Sequence, residues 1–239
     1  MFEIKYFSEV TSTNDIVKDL AKGGAPEWTV AVAVAQTCGR GRMGRSFMSP
    51  KGTGLYMSIL LRPRLGADKS LLITTAAACA VAKTVEKHTG KAARIKWVND
   101  IFLGEKKVCG ILTEGQVSGD KLEYAVLGIG INLEAPKGGF GELEGIATSM
   151  FNGESYDKAA IISDILERFA AYYENLEEKP HFNDYTSRDM LRGKTVKVTS
   201  AGEVLYEATV CGIDENFALV IDRDEKKESL QSGEVSIKI

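Results

Sequence analysis

The spacing of apolar residues predicts helices alternating with strands along most of the chain. Three segments carry apolar residues at helical spacing: one capped by Ser12 or Thr13 and stopped by Gly23, one from 68 to 88, and one from 157 to 176. Apolar runs typical of strands occupy residues 28–36, 54–62, 94–97, 107–115 and 122–131. Strands and helices mixed on this scale indicate an α/β domain in which helices cover a sheet.

The hydrophobic pattern changes after residues 177–180. Short β-rich runs separated by polar turn clusters follow, at residues 195–200, 204–213, 217–222 and 235–239. Such a pattern is typical of a small barrel. We therefore predict two domains, residues 1–186 and residues 187–239, with the second appended to the first rather than folded into it.

Composition and charge limit the classes of function. Of the 239 residues, 44% are hydrophobic and 26% charged, as in a soluble globular protein. The net charge is −3, from 30 Lys and Arg against 33 Asp and Glu, so any bound anion must be held locally. Four scattered Cys and two His argue against a zinc site or a disulfide framework. With no signal peptide and no apolar stretch long enough to span a bilayer, we predict a cytoplasmic protein that does not enter membranes.

The loop at residues 36–47 concentrates positive charge on flexible backbone. Glycines and arginines alternate in it: Gly39, Arg40, Gly41, Arg42, Gly44 and Arg45. Ordering such a loop costs about 1–2 kcal/mol per residue, and the arginines repel one another. A polyanionic ligand would compensate both effects, so we predict a loop that is mobile without a ligand and ordered over a phosphate. A solvated basic turn and a contact for single-stranded RNA are the alternatives.

Two further stretches suggest binding chemistry. Asn99 and Asp100 end a predicted strand, and Lys107 precedes another, so a partly buried lysine would need a neighbouring carboxylate or a bound anion; a turn and a solvated hairpin edge are the alternatives. Gly128 and Gly130 share one face of a strand, as expected where a ligand or another backbone comes close, or at a β-bulge. Neither a G-x-S-x-G elbow nor a P-loop motif is present, so a triad hydrolase and a P-loop enzyme are not supported.

Taken in order, these segments resemble the motifs of the biotin protein ligase family across nearly the whole chain. The matching segments are Ser12-Thr13-Asn14, the block at 36–63, KWVND at 96–100, KKVCGILTE at 106–114, GIGIN at 128–132 and SGEVS at 232–236. The resemblance implies an α/β (α+β) catalytic domain with a mixed sheet, followed by an SH3-like barrel. It also implies a two-step reaction. Biotin and ATP, with Mg²⁺, give biotinyl-5′-AMP, and a lysine of a biotin carboxyl carrier protein then takes the biotinyl group.

The resemblance further implies roles for individual residues. Lys107, Arg42 and Asp100 would be catalytic, with Lys107 at the biotin carboxylate and α-phosphate and Asp100 accepting or orienting the proton of the incoming lysine. The biotin site would comprise Ser12, Thr13, Asn14, Gln36, Arg40, Gly41, Arg42, Lys107, Gly128 and Gly130. The nucleotide site would comprise Arg40, Arg42, Arg45, Phe47, Asn99, Lys107 and Asn132. No His or Cys would bind a metal, because Mg²⁺ enters with ATP.

Three positions depart from the family pattern. Phe47 stands where Trp is common, which keeps a stacking surface for adenine without the indole N–H. Val98 stands where Pro is common, which loosens the turn before Asn99. Phe217 stands at a turn where Gly is expected, so that turn would be built differently. None of these departures removes a charged group from the implied chemistry.

The remaining expectations concern partners and rival functions. The chain begins almost directly with the catalytic domain, so we expect no DNA-binding module and no role on DNA. Homodimers through the sheet edge occur in the family, and a homodimer is therefore possible here. The rivals are a lipoate-type acyl ligase of the related fold and a non-enzymatic RNA-binding module.

Overall fold

The computed structural model describes residues 2–200, 203–231 and 236–238 and contains four α-helices and twelve strands in that part of the chain. The helices are α1 Thr13–Lys22, α2 Leu71–Thr89, α3 Lys158–Tyr173 and α4 Phe182–Ser187. The first seven strands are β1 Glu3–Phe7, β2 Thr29–Ala33, β3 Gly54–Leu61, β4 Ala93–Lys96, β5 Asp100–Leu103, β6 Lys106–Ser118 and β7 Lys121–Asn132. The last five are β8 Thr195–Ser200, β9 Glu203–Ile213, β10 Leu219–Arg223, β11 Lys226–Leu230 and β12 Ser236–Lys238.

The larger sheet has seven strands in the order β1-β2-β3-β7-β6-β5-β4. It is mixed, because β1 and β2 run parallel and the other neighbours run antiparallel. At its centre Gly130 pairs with Tyr56 on one side and with Gly110 on the other. Gly128 pairs with Ser58 and with Leu112 in the same way. This register confirms the expected mixed sheet and places Gly130 beside Gly110 and Gly128 beside Ser58.

Helix α2 covers one face of this sheet and supplies much of the core. Its alanine-rich sequence is buried on nearly every side, as expected of a central helix. The helix ends at Gly90, whose φ of 68° is the left-handed value that glycine adopts without strain. It starts at Leu71 rather than at residue 68, because Ala67–Lys69 form a separate turn of 3₁₀ helix. Within the part of the chain described, no helix is long and apolar enough to cross a membrane.

Four elements were not predicted from the sequence. Strand β1 is short and partly exposed, β5 is four residues long, and β11 is almost entirely polar, so none has a clear apolar pattern. Helix α4 has only six residues and follows a proline. The predicted side-chain cap of α1 is wrong, because Ser12 precedes the helix without making a capping hydrogen bond.

The C-terminal strands form a five-stranded antiparallel sheet in the order β11-β10-β9-β8-β12. Its buried side chains belong to the same hydrophobic cluster as those of the larger sheet. The predicted boundary at 186 and 187 falls inside α4, and Ile95 of β4 still pairs with the backbone of Arg188 and Met190. The SGEVS segment lies mostly at 232–235, outside the described residues.

His181 is fully buried between α2 and the C-terminal sheet, with its Nε2 atom 2.8 Å from Thr75 Oγ1. Burial lowers the pKa of its ring from 6.5 to about 4. The unfolded chain therefore takes up this proton at a higher pH than the folded chain does. Stability present above pH 6.5 is lost as the pH falls toward 4, by roughly 3 kcal/mol in total.

We therefore expect the His181→Leu variant to flatten the pH dependence of stability in that window. The free energy of unfolding, measured by urea titration at about pH 7, 5.5 and 4.5, should fall with acid more steeply in the wild type than in the variant. If the free energy of unfolding fell equally with pH in the two proteins, another group would control the loss of stability in acid.

Candidate functional site

Phe47, at the end of the arginine-rich loop, lies where three cavities meet. They lie beside strands β7 and β6, beneath residues 36–47, and have volumes of about 30, 130 and 170 Å³. All of the predicted site residues line one or more of them: Ser12, Thr13, Asn14, Gln36, Arg40, Gly41, Arg42, Arg45, Phe47, Asn99, Asp100, Lys107, Gly128, Gly130 and Asn132.

The smallest cavity, which we call the polar cavity, is lined by Ser12, Thr13, Asn14, Gln36, Gly128 and Gly130 among others. Gln36 Oε1 accepts hydrogen bonds from the backbone N–H of Thr13 at 2.8 Å and from its hydroxyl at 3.1 Å. Ser58 Oγ lies 2.5 Å from Asn14 Oδ1 and 2.7 Å from Thr13 Oγ1. Ser58 was not predicted as a site residue, although a lone hydroxyl in an apolar strand is the signal that would have found it.

The glycines of β7 allow side chains to approach the sheet closely. A Cβ atom at position 128 would lie 2.2 Å from Asn14 Oδ1, and one at position 130 would lie 2.6 Å from the ring of Phe47. The strand pairs regularly through both glycines, so the alternative of a β-bulge there is wrong. The space above Gly130 is filled by Phe47, and a flat ligand can lie there only when that ring moves.

We expect Gly128→Ala to weaken binding in the polar cavity by at least about tenfold. The added methyl group must displace Asn14, and overpacking of this kind costs typically about 1–3 kcal/mol. Gly145→Ala is the matched control, because a Cβ atom there meets nothing within 4 Å. Calorimetric titration with biotin measures the effect, and equal affinities of the two variants would contradict it.

The second cavity, which we call the cationic cavity, is lined by the cationic side chains of Arg40, Arg42, Arg45, Lys96 and Lys107 and by the carboxylate of Asp100. Lys107 Nζ lies 2.7 Å from Asp100 Oδ1, so the predicted compensating anion is a neighbouring carboxylate. Arg42 donates to Asn99 Oδ1 at 3.1 Å. Burial lowers the pKa of Arg42 and of Lys96, while Asp100 opposes that shift in both. Lys96 was missed as a site residue, although it opens the quoted KWVND segment.

Arg40 lines the polar and cationic cavities and also anchors the loop to neighbouring elements. Its guanidinium lies 2.6 Å from Asp15 of α1 and 3.5 Å from Glu114 of β6. Glu114 also accepts from Lys18 and Asn14, each at 2.6 Å. Burial alone would raise the pKa of Glu114, but these two donors hold it below its ordinary value. The charge of Arg40 is thus balanced by the protein itself, and the predicted mobility of the loop stays a prediction.

The third cavity, which we call the apolar cavity, lies on the other side of Phe47. Its walls include Phe140, Leu143 and Ile146, from a segment that sequence reasoning did not connect with the site. Asn132 and Lys107 lie at its polar edge, so Lys107 is shared with the cationic cavity. Asn132 donates to the carbonyl of Thr148 at 3.0 Å and lines a different cavity from Asn99. The segment carries no motif that would have revealed it.

Asn99 and Asp100 are the neighbouring oxygen donors in the cationic cavity, since Asn99 Nδ2 lies 3.1 Å from Asp100 Oδ1. Among residues 2–200, 203–231 and 236–238, no group of three or more His, Cys, Asp or Glu side chains could hold a metal ion. One carboxylate with an amide oxygen suits Mg²⁺ that is brought in by a phosphorylated ligand, because Mg²⁺ commonly binds through one or two carboxylates and substrate phosphates.

Fixed cations between a hydrogen-bonding cavity and an apolar cavity define a class of enzyme. Such a site can hold two anionic groups against each other, and electrostatic stabilisation is usually the largest contribution to catalysis of that kind. The apolar cavity adds a place for an aromatic ring next to Lys107. The class is therefore an acid-activating ligase that uses a nucleotide.

Comparisons with known proteins agree with this class. The family model described as the biotin/lipoate A/B protein ligase family matches residues 6–132. The bifunctional ligase/repressor BirA of Bacillus subtilis is 35% identical over 97% of this chain and 73% of the relative. The biotin–[acetyl-CoA-carboxylase] ligase of Paracoccus denitrificans is 30% identical over 94% of this chain and 96% of the relative.

A solved structure extends the likeness to the whole fold. The biotin protein ligase from Aquifex aeolicus in complex with biotin and ATP has a TM-score of 0.82 and 28% identity, covering 100% of this chain and 99% of that one. This chain belongs to the biotin/lipoate A/B protein ligase family.

Proposed function

We infer that this chain is an ATP-dependent biotin protein ligase. It activates biotin to biotinyl-5′-AMP and transfers the biotinyl group to a lysine of a biotin carboxyl carrier protein. The observation that supports this most directly is that the polar cavity and the cationic cavity adjoin at Gly110 and Phe47, which line both. An acid whose uncharged head lies in the first can therefore reach the cations of the second with its carboxylate. The relatives named above, which include a biotin–[acetyl-CoA-carboxylase] ligase, support biotin and a carboxylase acceptor.

The polar cavity is the proposed site of the ureido ring of biotin. A ureido group presents one carbonyl acceptor and two N–H donors, and a buried group of this kind requires partners. Ser12, Thr13, Asn14 and Gln36 supply hydroxyl and amide groups that both donate and accept. A lipoyl dithiolane has no group that could hydrogen-bond to these side chains, whereas a ureido ring has both donors and an acceptor, so we propose that the cavity favours biotin.

The cationic and apolar cavities together are the proposed site of ATP. The triphosphate lies against Arg42, Arg45, Lys96 and Lys107, and the purine lies in the apolar cavity against Phe47 with Asn132 at its edge. Mg²⁺ would enter with the nucleotide as part of the substrate, and Asp100 and Asn99 would be the residues that supply oxygen atoms to it. Arg40 and Gly41 also line the cationic cavity, and Arg40 additionally supports the ordered loop over the ligands.

The chemistry follows from charge. In the first step a biotin carboxylate oxygen forms a bond to the α-phosphorus and the bond to pyrophosphate breaks, so two anions must approach each other. Lys107 stabilises the charge that develops between them, and Arg42 stabilises the departing phosphates. In the second step the acceptor lysine amine attacks the acyl carbon, and AMP leaves. Asp100, which lies in the cationic cavity 2.7 Å from Lys107, then accepts or orients the proton of the amine.

We further propose that the five-stranded C-terminal sheet is an SH3-like barrel. Residues 1–186 and residues 187–239 are proposed to form separate domains. We also propose that the protein is cytoplasmic, forms a homodimer through the sheet edge and has no role on DNA.

The test of the function is ATP–pyrophosphate exchange with biotin or lipoate as the acid. Exchange that depends on biotin, followed by labelling of a purified carrier domain, is the expected result. Exchange with lipoate alone would reassign the chain to the lipoate branch. The absence of exchange with either acid would contradict ligase activity. The arginine-rich loop would then be interpreted as a simple anion-binding or RNA-binding segment.

A further inference from the structure

Phe217, between β9 and β10, anchors the C-terminal sheet to the rest of the protein. Its side chain is fully buried, although its φ of 59° lies in the region that favours glycine. Its ring stacks on His181 at 4.8 Å between centroids and meets Tyr185 edge-on at 5.3 Å. A bulky residue keeps such a backbone conformation only where its surroundings determine it.

Two buried hydrogen bonds connect this anchor to the turn before the cationic cavity. The indole N–H of Trp97 donates to the carbonyl oxygen of Phe217 at 2.9 Å. The hydroxyl of Tyr185 donates to the carbonyl oxygen of Val98 at 3.0 Å. Both bonds therefore hold the residues that immediately precede Asn99. Val98 does not restrict its own backbone as a proline would, so the position of the turn depends on these external contacts.

The turn at residues 97–99 also positions the side chains that pair with two of the cations. Asn99 accepts from Arg42 at 3.1 Å, and Asp100 lies 2.7 Å from Lys107. Asn99 is also fixed to β6, because its side-chain amide donates to the carbonyl of Ile111 at 2.8 Å. A shift of residues 97–99 thus displaces the polar partners of both cations at once.

We propose that Phe217 and Tyr185 are positioning residues for the adenylation step. Neither lines the cavities. They act through Trp97 and Val98 to hold Asn99 and Asp100 against Arg42 and Lys107, so that the C-terminal sheet sets the geometry of the phosphate site. The inference rests on the proposed adenylation of biotin. Small displacements of positioned groups lower rates strongly, since an error of about 1 Å can cost about a hundredfold.

The test compares two single-atom changes in the same region. Tyr185→Phe removes the hydroxyl that holds Val98, and Tyr172→Phe removes a hydroxyl that donates to Asp184 at 2.6 Å without contacting the turn. We expect Tyr185→Phe to lower kcat for biotin-dependent exchange about tenfold with the KM for biotin nearly unchanged, and Tyr172→Phe to leave both unchanged. Equal kcat values for the two variants would overturn the proposal.

A second pair of variants distinguishes positioning from folding. Trp97→Phe keeps a ring but removes the donor, and Phe217→Gly removes the anchor while suiting the backbone conformation. Each single variant should lower kcat about tenfold. The kcat of the double variant should be no more than about twentyfold below that of the wild type, because both changes disrupt the same contact between Trp97 and Phe217. A loss of kcat in the double variant equal to the product of the two single losses would overturn the positioning role. A fall in the thermal midpoint with no change in kcat would overturn it as well. A wild-type protein without biotin-dependent exchange would overturn the proposed function together with it.

Discussion

Replacement of Lys107 by alanine is expected to lower biotin-dependent ATP–pyrophosphate exchange by about a thousandfold. Removing one group that stabilises developing charge costs about 10²–10³ in kcat. Lys107 is also the partner of Asp100, so its loss leaves a carboxylate facing the incoming phosphates. Initial rates of exchange at saturating biotin and ATP measure the effect.

The neighbouring lysine is the matched control for this change. Lys106 is exposed and donates to the carbonyl of Glu144 outside the cationic cavity. Lys106→Ala removes the same charge from the adjacent position in the chain, and we expect exchange within about twofold of the wild type. If both variants lost activity equally, the effect would come from the general charge of the hairpin and not from a cation at the reacting groups.

Replacement of Arg42 by alanine is expected to lower kcat/KM for ATP by about a hundredfold. Its guanidinium is partly buried in the cationic cavity, where a charge-assisted contact to phosphate is stronger than at the surface. Arg42→Lys should recover only part of the lost kcat/KM, because an ammonium group cannot form the planar bidentate contact of a guanidinium. Exchange rates at varied ATP and fixed biotin test this.

Biotin binding tests whether Arg42 acts on ATP and not on biotin. Calorimetry with biotin alone should give affinities for Arg42→Ala within about fivefold of the wild type, because the proposed site of the ureido ring is the polar cavity. Arg64→Ala is the control for removing an arginine, since Arg64 is exposed and lines none of the three cavities around Phe47. A loss of biotin affinity as large as the loss of kcat/KM for ATP would place Arg42 at the acid and not at the phosphates.

The elements with a clear apolar period could be predicted from the sequence, and those without one could not. Helix α2 and strand β3 are buried nearly throughout, and their bounds differ from the predicted ones by a few residues. Strand β11 is exposed at four of its five positions, so its pairing with β10 depends on the turn between them. The order of the strands depends on contacts distant in sequence, which periodicity does not report.

The site was predictable where its chemistry lies in short motifs. Lys107 was expected beside a neighbouring carboxylate or a bound anion, and it forms an ion pair with Asp100. Phe140 and Ile146 were not expected at the site, because they come from an irregular segment and reach it only through the tertiary fold. The two departures at Val98 and Phe217 gave no hint that they are connected through Trp97 and Tyr185.

The position of Phe47 has a consequence for inhibitor design. Its ring forms part of the wall of all three cavities, so a ligand entering any of them must accommodate it. A compound that joins a ureido head to a purine by an uncleavable linker displaces the ring once, and each half then raises the effective concentration of the other. Potency should therefore be greatest at the linker length that matches the distance between the two cavities.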